Sequence, residues 1–272
     1  MTTINVIDAG FSYPGHKVFE NLNLTVDAGE IFCLIGPNGC GKTTLLDCML
    51  GINQLSAGRI LLDADPISAM KPQQIARRIS YVPQMHEKTF PYTVLEIVLM
   101  GRAAYTGMFS SPSKDDRRIA EEALESVGFK EFRNRPYTSL SGGEGQLVMI
   151  ARALAQKTGI IIMDEPTSHL DFKHEMTILE TIVKLVKENG LSVVMATHFP
   201  NHAFYFENNL IRTNVALMSD CRFIEVGEPS SVLNETNIKE LYDIDARIFS
   251  LDTGANVIKQ IVPISKSRSK HQ

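Results

Sequence analysis

The chain has 272 residues, with 27 Lys or Arg against 31 Asp or Glu, and its formal net charge is −4 at pH 7. Hydrophobic residues make up 44% and charged residues 21%, a composition that excludes collagen-like and disordered chains. The mild acidity gives no reason to expect nucleic acid as a partner. The longest apolar runs, such as Ile31–Ile35, are far shorter than the roughly 20 residues that a membrane-spanning helix needs.

Two further features concern the compartment. Residues 1–5 lack the basic residues and the long apolar stretch of a secretory signal. The four cysteines, Cys33, Cys40, Cys48 and Cys221, form no Cys-x-x-Cys pair, as expected of reduced thiols. The sequence therefore predicts a soluble cytoplasmic protein, in which any role at a membrane requires a partner.

Hydrophobic spacing predicts mostly strands in the first third of the chain. The continuous apolar run before the first glycine-rich loop has the pattern of a strand buried on both faces. The predicted segments are short strands within 3–30, a strand over Ile31–Ile35, a helix from Lys42 to Gly51, and strands at 58–63 and 79–82.

From about residue 85 the spacing becomes helical, which predicts an inserted helical region. Its helices are expected at 93–101, 114–127 and 143–156. Strand character returns afterwards, and a strand, an amphipathic helix and a strand at this spacing are typical of a parallel-sheet crossover. The later predicted segments are strands at 160–163 and 192–196 around a helix at 172–188, a hairpin near 219–226, short helices around 229–241 and a frayed basic tail at 264–272.

A phosphate-binding loop is the first functional motif. The pattern G-x-x-x-x-G-K-[ST] lies between a predicted buried strand and a predicted helix, the context that this motif requires. Its glycines let backbone amides surround phosphate oxygens, and the helix adds the positive end of its dipole. We expect Lys42 to reach the β- and γ-phosphates, Thr43 to bind Mg²⁺ and Thr44 to contact the α-phosphate. The loop comprises Gly36, Pro37, Asn38, Gly39, Cys40, Gly41, Lys42 and Thr43.

Two acids follow the apolar run at 160–163. Asp164 and Glu165 stand at the predicted carboxyl end of a strand, where ligands of open α/β sheets collect. Asp164 is expected to hold Mg²⁺, and Glu165 is expected to act as the general base for the attacking water. The two motifs predict a nucleotide triphosphatase. A GTPase would need Asn-Lys-x-Asp and a nucleotide kinase an arginine-rich lid, and the sequence has neither.

A third motif narrows the class of triphosphatase. Leu140 is followed by Ser141, Gly142, Gly143 and Glu144, a serine hydroxyl and flexible amides at the start of a predicted helix. With this motif between the phosphate loop and the acidic pair, the chain resembles the ATP-binding cassette (ABC) ATPases. The resemblance runs from about residue 3 to residue 245, nearly the whole chain.

The resemblance implies roles for four further positions. Tyr13 lies where the family has an aromatic ring that stacks on adenine. Gln84 matches the glutamine loop, which contacts Mg²⁺ and the attacking water and relays motion to a membrane subunit. Residues 168–171 match the D-loop between subunits, which ends at Asp171. His198 matches the switch histidine that contacts the γ-phosphate.

The resemblance also implies an α/β fold. It is that of the P-loop NTPases, a RecA-like parallel sheet with an antiparallel β subdomain and an inserted α-helical subdomain. The expected ATP-binding core comprises 1–84 and 160–235. The helical subdomain with the signature motif spans 85–159, and a C-terminal extension with a basic tail spans 236–272.

Softer similarities point to one branch of the family, the ATPases of bacterial importers for iron chelates, haem and cobalamin, with some molybdate systems. They lie at 98–102, 111–113, 167–172 and 200–204. Three departures from the family pattern bear on the branch to which the chain belongs and on its rate of ATP hydrolysis. They are Gly145 after the signature, Phe199 in place of the usual aspartate after the histidine, and a turn without glycine at 220–222.

The resemblance finally implies an assembly. Two copies sandwich two ATP, with Lys42 and Glu165 from one subunit and Ser141 and Gly143 from the other. The implied assembly also includes separate multi-span permease subunits and an extracytoplasmic substrate-binding protein. This chain would contact the permease through Gln84 and residues 89–105 and would lie at the cytoplasmic face of the membrane. The alternatives are the ATPase of an ABC exporter and a soluble ABC ATPase outside transport.

Overall fold

A computed structural model describes residues 2–84, 90–106, 111–252, 254 and 257–267 of the chain. The chain divides into two compact units. The first unit consists of Met1–Ala69 and Ser192–Gln272, and the second unit is Met70–Leu191.

The secondary structure alternates strands and helices after an initial hairpin. The strands are β1 (Ile4–Tyr13), β2 (His16–Val26), β3 (Ile31–Ile35), β4 (Ala57–Leu62), β5 (Asp65–Pro66), β6 (Ile79–Val82), β7 (Ile160–Asp164), β8 (Ser192–Thr197), β9 (Thr213–Ser219), β10 (Arg222–Gly227), β11 (Ile244–Asp252) and β12 (Val257–Lys266). The helices are α1 (Lys42–Met49), α2 (Pro72–Ala76), α3 (Val94–Leu99), α4 (Lys114–Ser126), α5 (Gly142–Ala155), α6 (Phe172–Asn189), α7 (Asn201–Asn208), α8 (Pro229–Val232) and α9 (Glu235–Tyr242).

The first unit contains parallel and antiparallel strands. β3 pairs in parallel with β8 on one side and β9 on the other, and β10 continues antiparallel beyond β9. All five residues of β3 are buried, which explains its unbroken apolar sequence. An antiparallel sheet in the order β2-β1-β4-β5 and the two-stranded pair β11-β12 complete this unit.

The second unit combines the parallel pair β6-β7 with helices. Helices α3, α4 and α5 pack against one another through apolar faces. Beneath them, the Arg102 guanidinium donates to Asp116 Oδ1 at 2.8 Å and to the Ala155 carbonyl at 2.9 Å. Hydrogen bonds from Arg102 and Ser113 lower the pKa of Asp116 to about 2, so the carboxylate remains charged. The ion pair ties the turn after α3 to the start of α4, and the bond to Ala155 ties it to the end of α5.

The predicted α/β fold class is confirmed in its architecture, because parallel strands, helices and a separate antiparallel sheet are all present. The prediction of a frayed tail is wrong for 264–267, because 264–266 belong to β12, with Ile244 opposite Lys266, and the Ser267 amide donates to the Asp243 carbonyl at 3.0 Å. The rest of the predicted basic tail, 268–272, lies outside the described residues, as does residue 89 of the predicted membrane-subunit contact. The expected domain boundaries stay predictions. Within the described ranges, no helix combines the length and apolar character required to cross a bilayer.

Candidate nucleotide-binding site

The loop between β3 and α1 is shaped by three glycines. Gly39 and Gly41 have φ of 82° and 105°, a left-handed region that L side chains rarely adopt. At Gly36 a Cβ would lie 2.3 Å from the Met218 carbonyl oxygen on β9 and 2.7 Å from Cys40 Sγ. The loop therefore packs closely against β9 and turns back over its own helix.

Lys42 lies inside this loop. Its side chain is 5% exposed, and Nζ donates to the carbonyl oxygens of Gly36 at 2.8 Å and Pro37 at 3.0 Å. Asn38, Gly39 and Thr43 are exposed, and Thr44 is half-buried. A glycine-rich loop at a helix N-terminus, with a buried ammonium group and an exposed hydroxyl beside it, has the chemistry to bind phosphate.

The acidic pair lies at the end of β7 in the second unit. Asp164 is 2% exposed and Glu165 is 8% exposed. Glu165 has φ of 44°, an unusual conformation for a non-glycine residue that is common at functional sites. The Gln84 amide nitrogen, just after β6, donates to Glu165 Oε2 at 3.2 Å. Two residues predicted from distant motifs are thus brought together on this unit.

The signature motif begins helix α5. Ser141 is the N-cap, and its hydroxyl accepts the Glu144 amide at 3.2 Å while Glu144 accepts the Ser141 amide at 2.7 Å. Arg135 donates to Glu144 at 3.2 Å. The Ser141 amide, more than Arg135, lowers the pKa of Glu144. Ser141 and Gly142 are exposed, so the start of this helix presents an open surface.

One residue at this surface belongs to none of the motifs predicted from the sequence. His174 lies against Gly143, where a Cβ would be only 2.4–2.7 Å from three of its side-chain atoms. Asp171 caps α6 by accepting the His174 amide at 2.9 Å, and its carboxylate lies 2.8 Å from His174 Nδ1. The spacing Asp-x-x-His at a helix start was the available signal. His174 connects the predicted D-loop residue to the signature glycine.

His198 and Tyr13 belong to the first unit. His198 is half-buried in the turn between β8 and α7, and its ring centroid lies 3.9 Å from that of Phe199. Tyr13 is the last residue of β1, is 48% exposed and makes an edge contact with Phe11 at 4.9 Å. Tyr13 is therefore only partly covered by its neighbours.

The predicted site residues divide between the units. The phosphate loop, Tyr13 and His198 lie in the first unit, whereas Gln84, the acidic pair, the signature residues and Asp171 lie in the second.

The chain is similar to known proteins in both sequence and structure. A family profile described as ABC transporter matches residues 19–168. The chain is 36% identical over 248 residues to the iron(3+)-hydroxamate import ATP-binding protein FhuC of Bacillus subtilis, covering 91% of this chain and 90% of that one. It is 34% identical over 242 residues to the molybdate import ATP-binding protein MolC of Haemophilus influenzae, covering 89% and 88%.

A solved structure matches over almost the full length. It shows an inward-facing conformation of an ABC transporter described as metal-chelate type. The TM-score is 0.86 at 32% identity, and the match covers 98% of this chain and 99% of that chain.

Proposed function

The chain belongs to the ABC transporter family as an ATP-binding subunit, an ATPase coupled to transport, and from this we propose that it powers the import of an iron chelate, haem, cobalamin or related metal complex. The match to the metal-chelate transporter along 98% of the chain is the observation that carries the proposal. Relatives named as importers of hydroxamate-bound iron and of molybdate support it.

In the proposed reaction, the loop amides and Lys42 bind the β- and γ-phosphates of ATP. The ammonium group is already held at the loop carbonyls of Gly36 and Pro37. Moving to phosphate therefore exchanges two hydrogen bonds to neutral carbonyl oxygens for ion-paired hydrogen bonds to anionic phosphate oxygens, which are stronger. Tyr13 stacks on the adenine ring, and Thr44 contacts the α-phosphate.

Glu165 is the proposed general base. Its Oε2 accepts the Gln84 amide N–H, which orients the carboxylate for accepting a proton from water. His198 contacts the γ-phosphate and stabilises charge that develops as the bond to the leaving oxygen breaks.

Mg²⁺ is the proposed metal, held by Thr43, Asp164 and Gln84. The donor set fits, because a hydroxyl, a buried carboxylate and an amide supply the oxygen atoms that this hard cation prefers. Among the described residues, no three His, Cys, Asp or Glu side chains gather as a metal-binding group. When bound, the ion neutralises charge on the β- and γ-phosphates.

Two copies are proposed to enclose each ATP. Ser141, Gly142, Gly143 and Glu144 of one copy face the nucleotide held by the phosphate loop of the other, and Asp171 lies at the subunit contact. A symmetric head-to-tail pair uses both motifs twice. ATP binding closes the pair, and phosphate release opens it.

The proposed assembly also includes separate multi-span permease subunits and an extracytoplasmic substrate-binding protein. This chain would lie peripherally at the cytoplasmic face of the membrane, and Gln84 with residues 89–105 would contact the permease. Residue 89 of that segment lies outside the described residues.

Co-expression with the permease encoded nearest to this chain's gene tests the proposal. The purified complex in liposomes should hydrolyse ATP faster when a ferric-hydroxamate-loaded or cobalamin-loaded binding protein is added. The matched Glu165→Gln complex should assemble but show no stimulation. A chain that fails to co-purify with any permease, or an ATPase rate indifferent to all loaded binding proteins, would refute the import function.

A further inference from the structure

The turn that carries His198 is bonded to residues far along the chain. The Tyr242 hydroxyl, at the end of α9, donates to the His198 carbonyl oxygen at 2.9 Å. This bond fixes the backbone of the proposed γ-phosphate contact itself.

Asn201 supplies a second connection. Its amide nitrogen donates to the Ile261 carbonyl at 3.1 Å, and its Oδ1 accepts the Ile261 amide at 2.8 Å. One side chain thus satisfies both polar backbone groups of a residue in the middle of β12, which is 6% exposed. The first turn of α7 is thereby fixed to the strand.

Local bonds set the shape of the turn. The Phe199 amide donates to Thr197 Oγ1 at 3.1 Å, and His202 Nδ1 lies 3.0 Å from the same hydroxyl. These three residues lie within the turn and its flanks, so their bonds cannot fix its position. Tyr242 and Asn201 are the residues that relate the turn to α9 and β12.

The C-terminal segment, defined here as α9, β11 and β12, is internally connected. Arg247 on β11 lies 2.5 Å from Glu235 at the start of α9, and Lys239 on α9 lies 2.7 Å from Asp245. The Tyr242 and Ile261 attachment points therefore belong to one folded element rather than to two independent loops.

We propose that this C-terminal segment positions His198 for ATP hydrolysis, with Tyr242 and Asn201 as positioning residues. The inference rests on the γ-phosphate role proposed for His198. A misplacement of about 1 Å can cost on the order of a hundredfold in rate. Two direct attachments to the His198 turn make turnover depend on a segment that carries none of the nucleotide motifs.

The test uses Tyr242→Phe, which removes one oxygen atom and keeps the ring, and Asn201→Ala. Each should lower kcat about tenfold, with the KM for ATP changed less than about twofold. Asn209→Ala is the matched control, because this asparagine at the other end of α7 donates to the Tyr205 carbonyl one turn earlier. It should retain the wild-type rate, and thermal unfolding should show all three variants folded.

A double variant distinguishes positioning from a general structural effect. If Tyr242 acts through His198, Tyr242→Phe added to His198→Ala should lower the single-turnover rate by less than about twofold. The same tenfold loss in both backgrounds would overturn the inference. So would wild-type rates in Tyr242→Phe and Asn201→Ala while the rate of His198→Ala is strongly reduced. A wild-type rate in His198→Ala would instead refute the proposed role of His198, and the inference with it.

Discussion

Two glycine-rich helix starts in this protein suit phosphate, and they differ in what surrounds them. At α1 the loop encloses its own lysine, and the backbone at Gly36 lies too close to Met218 to admit a Cβ. At α5 the serine caps its own helix, and a Cβ on Gly142 would meet nothing closer than Leu170 at 3.6 Å. The loop before α1 is thus an enclosed cradle around Lys42. The start of α5, at Ser141 and Gly142, is an open surface suited to a ligand carried by another molecule.

Lys42→Ala should have the largest effect. The substitution removes the cation from the enclosed cradle, so kcat/KM for ATP should fall by at least about 100-fold. ATP binding by a single subunit, measured by calorimetry, should weaken as well. Tight ATP binding by the variant would break the assignment of the cradle as the primary site.

Gly142→Asp tests the open surface. The Cβ fits, and an acid in the first helical turn favours the helix, so stability should be preserved. A carboxylate facing phosphate should nevertheless lower turnover about 30-fold by repulsion between like charges. Single-subunit ATP binding should match the wild type, with Gly142→Ala as the uncharged control. Weakened binding in the isolated subunit would contradict a surface used only by a second copy.

Thiol alkylation probes the cradle without substitution. Cys40 is half-buried in the loop, whereas burial raises the pKa of Cys48 to about 12 and suppresses its thiolate. N-ethylmaleimide should therefore lower activity at least about tenfold through Cys40, with ATP protecting and Cys40→Ala resistant. Full activity after stoichiometric labelling of Cys40 would contradict the placement of the loop.

Gly143→Ala keeps the backbone N–H that would face the nucleotide, so it should have the smallest effect, mainly on stability. Its Cβ would meet His174, which must move, at a cost of about 1–3 kcal/mol in unfolding free energy. Adding His174→Ala should recover much of this loss in denaturant titrations. If the losses of unfolding free energy from the two substitutions simply added in the double variant, the contact between Gly143 and His174 would not be the cause of the destabilisation.

The comparison also shows what could be predicted from the sequence. The cradle, the acidic pair and the signature were predictable, because each is a short pattern whose spacing is fixed by backbone geometry. His174 could have been suggested by helix-cap spacing alone. Tyr242 and Asn201 could not, because their partners are 44 and 60 residues away and depend on tertiary structure.

The hairpin β11-β12 was missed for a similar reason. Its last residues are basic and polar, and they are ordered by pairing with residues near 244 rather than by an apolar pattern of their own. Local propensity is a weak guide where cross-strand contacts decide the structure.

The pairing of cradle and open surface across two copies is the central claim, and Glu165→Gln tests it most directly. With hydrolysis blocked, saturating ATP and Mg²⁺ should give a particle of twice the 30.2 kDa subunit mass in size-exclusion chromatography with light scattering. The same variant without ATP, and Glu165→Gln combined with Gly142→Asp, should remain single subunits. A Glu165→Gln protein that binds ATP tightly yet stays at 30.2 kDa would contradict the account.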